Sequence, residues 1–198
     1  MRATIVGLLV LACGGLAHAG SGTVKGTVAS AEKGAPPVAD AVVMIAGVAV
    51  PAAPDTAHPV VDQRHDTFVP RVTAVAVGTT VDFPNDDPRL HNVFSASGAK
   101  KFDLGMYPQG ESRSVTFDKP GVVRVACSVH PKMEAFIVVH ENPYVAVTDA
   151  HGAWTIAGVP PGHYRLRVWH ERLGESEVPV TVSDGQVQSV DLRVGAGR

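Results

Sequence analysis

Short apolar runs of strand length, each closed by a turn signal, constrain what this chain of 198 residues can become. The runs fall at 24–28, 42–45, 72–77, 115–117, 122–126 and 136–139, then at 144–147, 154–156, 164–169, 178–182 and 187–194. Val and Ala supply most of them. Between them lie Asp86-Asp87-Pro88, Lys119-Pro120-Gly121, Asp149-Ala150-His151-Gly152, Pro160-Pro161-Gly162 and Ser183-Asp184-Gly185. Pro and Gly there supply the backbone dihedrals that a chain reversal needs. Many short strands at this spacing predict an all-β sandwich or barrel. No window repeats apolar residues with a helical period. The Ala- and Pro-rich stretch 46–59 reads as a linker or long loop.

The first residues read as an export signal. Met1-Arg2 is followed by an apolar run at 3–16 and then Ala17-His18-Ala19, an Ala-x-Ala cleavage site. Cleavage is expected after Ala19, which places the mature chain in the periplasm or outside the cell. No other apolar run approaches membrane length. The net charge of −2 comes without a basic stripe, which argues against nucleic acid as a partner.

Cysteine arithmetic then sharpens the reading. Of two cysteines, Cys13 lies in the signal, so the mature chain keeps only Cys127. A lone thiol in an oxidising compartment must be buried, paired with another chain, or held by a metal. Cys127 opens the run Cys127-Ser128-Val129-His130-Pro131-Lys132-Met133, a Cys-x2-His-x2-Met spacing, and His91 is a candidate fourth ligand. A thiolate, two imidazoles and a weak thioether form the donor set of a blue-copper electron-transfer site. Zinc is less well served, because Met is a poor fourth ligand for it. A binuclear copper centre lacks its second cysteine, and the paired His-x-His motifs of multicopper oxidases are missing. A Cys127/His130 nucleophilic dyad has no evident orienting residue or oxyanion motif, so no enzymatic activity is expected. The strand ending at Val81-Asp82-Phe83 and the loop 84–88 would deliver His91. The strand 122–126 would deliver Cys127, and His130 and Met133 would follow on the next loop.

Residues 60–140 resemble a cupredoxin, the family of plastocyanin, amicyanin and azurin. The resemblance is carried by Phe68-Val69-Pro70, Val77-Gly78-Thr79-Thr80-Val81-Asp82-Phe83, His91-Asn92-Val93, Lys119-Pro120-Gly121 and the loop from Cys127 to Met133. It implies a Greek-key β-sandwich with one type 1 copper per chain. It assigns His91, Cys127 and His130 as equatorial ligands and Met133 as the axial one. It also implies that Asn92 and Ser128 tie the two ligand loops by hydrogen bonds. The sequence departs from plastocyanin at Ala126, where an aromatic residue precedes the cysteine. The exposed edge of His130 is therefore the expected electron exit. The remaining histidines, His58, His65, His140, His151, His163 and His170, are expected to be exposed or ordinarily hydrogen-bonded. Trp169-His170-Glu171 reads as a strand end, Met44 as core and Met106 as a packing residue.

A second resemblance covers the flanks. Residues 148–156 and 159–168 resemble a carboxypeptidase-regulatory-like, transthyretin-like β-sandwich, and Val24-Lys25-Gly26-Thr27-Val28 and 37–43 fit that family's opening strands. The expected organisation is a signal peptide at 1–19, a smaller discontinuous sandwich from 20–50 and 144–195, and a cupredoxin domain at 60–140 inserted into it. A tandem arrangement, with 20–50 serving as the first cupredoxin strands, is the alternative. The whole chain resembles exported bacterial proteins labelled methylamine utilisation or plastocyanin-like, a label that does not itself implicate methylamine. The resemblance implies a single-electron carrier between periplasmic redox proteins, with a dehydrogenase as donor and a c-type cytochrome as acceptor. A copper-handling protein without electron traffic and a metal-free envelope binding module are the alternatives.

Overall fold

The computed structural model describes residues 20–49, 51 and 53–195, so the segment 1–19 expected as a signal peptide, with Cys13, lies outside the described residues. Among them the fold is all-β. The first two strands are β1 (Gly22–Ser30) and β2 (Val42–Ala46). Nine follow: β3 (Asp62–Arg64), β4 (Thr67–Val69), β5 (Val72–Ala76), β6 (Thr79–Pro84), β7 (His91–Ala96), β8 (Lys101–Tyr107), β9 (Ser112–Phe117), β10 (Gly121–Ala126) and β11 (Glu134–His140). The last six are β12 (Val145–Val147), β13 (Ala153–Val159), β14 (Gly162–His170), β15 (Gly174–Val182), β16 (Val187–Ser189) and β17 (Leu192–Val194).

These strands make two sandwiches. In the central one, the sheet β5-β11-β10-β7-β8 faces the β6-β9 pair. The β3-β4 hairpin joins the β6 side through bridges Val60↔Asp82 and Gln63↔Asn85. Its core holds Phe68, Val81, Phe83, Val93, Phe117, Val123, Val125 and Ile137. In the flanking sandwich, the sheet β12-β2-β14-β15 faces β13-β1-β16, with β17 also on β1. Val24, Val28, Val43, Ile45, Trp154, Leu166 and Val168 fill that core.

Strands β1 and β2 precede the central sandwich in sequence, yet their named strand partners all come after it. Val24–Thr27 align with Ile156–Ala153, and Val42–Ala46 align with Trp169–Arg165. The β2 strand also pairs with β12, Val42 opposite Val147.

The continuous apolar runs, as opposed to alternating ones, have a simple cause. A strand buried on both faces has no polar side. In β11, Ala135, Ile137 and Val139 face the central core, while Phe136 and Val138 face the flanking sandwich. In β2, Val43 and Ile45 face their own core, while Val42 and Met44 face β11 and its neighbours. Trp169 completes this junction, its ring centroid 5.5 Å from that of Phe136. The two sandwiches therefore share a third apolar layer.

The run 187–194, expected as one strand, is two. Both β16 and β17 run parallel to β1, and the chain steps inward between them. Val190 donates its N–H to the Lys25 carbonyl, and Asp191 accepts from the N–H and hydroxyl of Thr27. Gly26 permits that step, because a Cβ there would lie 1.9 Å from the Val190 carbonyl oxygen.

Candidate metal centre

The β3-β4 hairpin, the loop before β7 and the loop between β10 and β11 meet at one end of the central sandwich. Cys127 directly follows β10 and is a free, buried thiol. His91, the first residue of β7, is fully buried. His130 lies on the 127–133 loop with its side chain 28% exposed. That loop is closed by two backbone bonds: Cys127 N–H to the Met133 carbonyl at 3.2 Å, and Met133 N–H to the His130 carbonyl at 2.9 Å.

Three donor atoms converge here. The Nδ1 atoms of His91 and His130 are 3.0 Å apart. Cys127 Sγ stands 3.9 Å from the first and 3.8 Å from the second. Bonds of about 2.0 Å to nitrogen and about 2.3 Å to sulfur, ordinary for a first-row metal, fit within a triangle of those sides. The donor types are those of a trigonal copper site. Met133 is buried in the same core cluster as Cys127. The N–H of Asn92 points at Cys127 Sγ at 3.5 Å, and Asn92 Oδ1 accepts from the Ser128 N–H at 3.3 Å. Asn92 is itself held, its Nδ2 donating to Asp103 at 2.7 Å.

A residue that sequence reasoning missed organises His91. Asp87 Oδ2 lies 2.9 Å from His91 Nε2. A proton on Nε2 leaves the Nδ1 lone pair free for a metal, which is how a carboxylate behind a histidine fixes its tautomer. Asp87 is in turn gripped by a turn. His65 and Asp66 both have left-handed φ, 55° and 54°, as a two-residue hairpin loop requires. This aims both their N–H groups at the Asp87 oxygens, at 2.6 and 2.8 Å. Burial alone would push the Asp87 carboxyl up, but the N–H groups of Asp66 and His65, with the His91 ring, hold it below the ordinary carboxylate range. The only sequence signal was Asp-Asp-Pro, which reads as a turn.

Beneath the loop lies a buried polar floor. Asn85 donates to the carbonyls of Arg89 and Tyr107 and accepts from the Asp87 N–H at 3.0 Å. Tyr107, opposite His91 in the β7-β8 register, donates to the Phe83 carbonyl at 2.8 Å and accepts from Gln63 at 2.6 Å. Burial pushes its phenol up to about 12.

One expectation needs correction. Met106 is not a packing residue: it is 41% exposed, opposite Asn92. His170 is hydrogen-bonded, as expected of it: it is buried at the end of β14, and its Nδ1 accepts the N–H groups of Arg172 and Leu173 in the turn that follows. The surroundings of the His130 edge mix apolar and charged groups. Leu90 and Val129 are exposed beside the two histidines, but Asp66 Oδ1 lies 3.6 Å from His130 Nε2 and Arg89 pairs with Asp66 at 3.0 Å.

Comparison with known proteins finds likenesses over parts of the chain. The family model for the carboxypeptidase regulatory-like domain matches residues 110–195, which takes in β9–β11 as well as the strands after them. Among solved structures, the Cu(I) form of a methionine-to-alanine mutant of amicyanin is 25% identical, with a TM-score of 0.40. It covers 50% of this chain and 98% of its own. A reduced tryptophan-to-tyrosine mutant of amicyanin is 26% identical, with a TM-score of 0.41 and the same coverage. A Cu-containing nitrite reductase from Thermus scotoductus SA-01 is 30% identical, with a TM-score of 0.41, covering 49% of this chain and 25% of its own. No curated protein matches the chain.

Proposed function

We propose that this chain is an exported type 1 copper protein that carries single electrons between periplasmic redox partners, and that it is a carrier, not an enzyme. The observation that carries the reading is the triangle of His91 Nδ1, Cys127 Sγ and His130 Nδ1. Copper held there would supply reversible one-electron chemistry.

Each residue has a part in that reading. Cys127 provides the thiolate, which the Asn92 N–H stabilises. Asp87 holds His91 in one tautomer and one orientation. Met133, buried in the same cluster as Cys127, would supply the weak thioether donor that tunes the potential. His130, the partly exposed ligand, is the exit for electrons, and the exposed Leu90, Val129 and Met106 form the apolar part of a docking surface around it. Strand ends and a closed loop keep these groups fixed, so little rearrangement accompanies electron gain or loss. The central sandwich is read as a cupredoxin unit inserted into the flanking sandwich, whose halves are 20–50 and 144–195. Export rests on the leader at 1–19. A dehydrogenase donor and a c-type cytochrome acceptor follow from the resemblance to amicyanin.

The test is the visible spectrum of the protein after addition of Cu(II). An intense thiolate-to-copper band, lost in Cys127→Ser and bleached by ascorbate, is expected. Weak colourless binding would point to copper handling, and no binding to a metal-free module.

A further inference from the structure

The two sandwiches are joined by more than apolar contact. Arg71, between β4 and β5, forks onto Glu171, which follows β14 in the flanking sandwich. Its Nε donates to Glu171 Oε1 at 3.0 Å and its Nη2 to Oε2 at 2.5 Å. The same guanidinium reaches Glu134 on the central sandwich. Nη2 donates to Glu134 Oε1 at 2.8 Å and Nη1 to the Glu134 carbonyl at 3.2 Å. The second oxygen of Glu134 accepts from Arg124 Nε at 2.8 Å.

Glu134 has a special place. It directly follows Met133 and pairs across the sheet with Ala126, which directly precedes Cys127. The Ala126–Glu134 pair is therefore the neck of the 127–133 loop, and every atom through which Glu134 is gripped lies on that neck. The grip is backed by the sheet: Phe136 donates its N–H to the Arg71 carbonyl at 2.8 Å, and the Arg71 guanidinium lies 5.6 Å from the Phe136 ring centroid. The Glu171 side chain is only 9% exposed and Arg71 37%, so the carboxylate end of the fork is shielded from water and its two-point geometry counts.

We propose that Arg71 and Glu171 are positioning residues, through which the flanking sandwich clamps the neck of the ligand loop and sets the geometry and local charge at the metal centre. The inference rests on the copper reading above. It assigns the flanking sandwich a role in tuning the site it does not itself contain. In Glu171→Gln the fork is lost and Arg71 keeps its charge with one carboxylate fewer. A net positive change near the centre favours the reduced metal, which carries one less positive charge, so the midpoint potential should rise.

The experiment compares wild type with Glu171→Gln and Glu175→Gln. Glu175 sits on the same sandwich, pairs with Arg167 at 3.1 Å, and makes the same charge change away from the loop. Hydrogen–deuterium exchange of amides 127–133 is measured on the metal-free protein, and the thiolate-to-copper band and midpoint potential on the copper form. Faster exchange, an altered band and a raised potential are expected in Glu171→Gln and not in Glu175→Gln. Should Glu171→Gln fail to fold by far-UV circular dichroism, Arg71→Lys replaces it. That variant keeps the charge and loses the fork, so it should speed exchange with a smaller potential shift. A coloured wild type whose exchange, band and potential are all unmoved by these variants overturns the clamp and leaves the copper reading standing. A wild type that never colours overturns the copper reading, and the metal-free exchange still decides whether the loop is clamped.

Discussion

At the scale of the residue, the centre is a hierarchy of constraints. His91 can present only one nitrogen to a metal because Asp87 occupies the other, and Asp87 can do so only because the His65-Asp66 turn holds it. Replacing Asp87 with Ala removes the partner that fixes the tautomer. Losses of such partners typically cost about 10–100-fold in metal affinity. A competition titration of Asp87→Ala against a Cu(I) chelator should show a fall of that order, and an unchanged affinity would show that His91 needs no outer support. Asp87 was not legible in the sequence. An Asp before Pro reads as a turn residue, and its pairing depends on a hairpin 21 residues upstream. The meeting of Cys127 with His130 was legible because their spacing and donor types are local. His91 was legible only as a candidate delivered by a strand and a loop, since nothing in the 35 intervening residues says that it meets Cys127.

At the scale of the element, strands announced themselves in proportion to how much of them is buried. β2, β10, β11 and β14 carry apolar residues on one or both faces and stood out as runs. β8 did not: in Lys101–Tyr107 only Tyr107 is fully buried, and its alternation is short, with Phe102 and Leu104 half-buried before Gly105 interrupts it. β3 and β4 are three residues each, and β3 carries buried polar groups, Asp62 and Gln63, that imitate a loop. The division of 187–194 was hidden because Val187, Val190, Leu192 and Val194 look like one run, while the step depends on the missing side chain of Gly26. Gly26→Ala must push Val190 away from β1. Overpacking of this kind costs about 1–3 kcal/mol. Urea unfolding should show a loss of at least that size, and a variant as stable as wild type would mean that the β16–β17 step yields freely.

At the scale of the whole molecule, the junction between the sandwiches decides how they unfold. His140 ends β11 and lines one cleft at the junction, about 470 Å³, with Met44, Arg167, Trp169 and Glu175. Burial lowers its pKa, opposed in part by its hydrogen bond to the Asn142 carbonyl. A histidine depressed in the folded state is neutral there while the unfolded chain takes up protons first. Its stabilising effect is whole above the unfolded value of about 6.5 and is lost as pH falls from there through the folded value. His140→Gln should flatten the decline of stability over that window in urea titrations at stepped pH, and an identical decline would place the acid sensitivity elsewhere. The chain's excursion through the central sandwich begins and ends at this junction. Ile45 donates its N–H to the Tyr144 carbonyl at 3.0 Å, and its own carbonyl accepts from Asn142 Nδ2 at 2.9 Å. Departure and return points are hydrogen-bonded neighbours, the condition under which one domain tolerates another in a loop. A chain joining residues 20–47 to 142–195 by a short Gly-Ser linker keeps every strand of the flanking sandwich and its core of Val24, Ile45, Trp154 and Leu166. It should give a β-rich circular dichroism spectrum and a cooperative urea transition. It would also expose Val42, Met44 and Trp169, so self-association through that face is expected in sedimentation, relieved by Trp169→Ser. A chain that stays unfolded would mean that the flanking sandwich owes its stability to the layer it shares with β11, and that the two sandwiches form one folding unit.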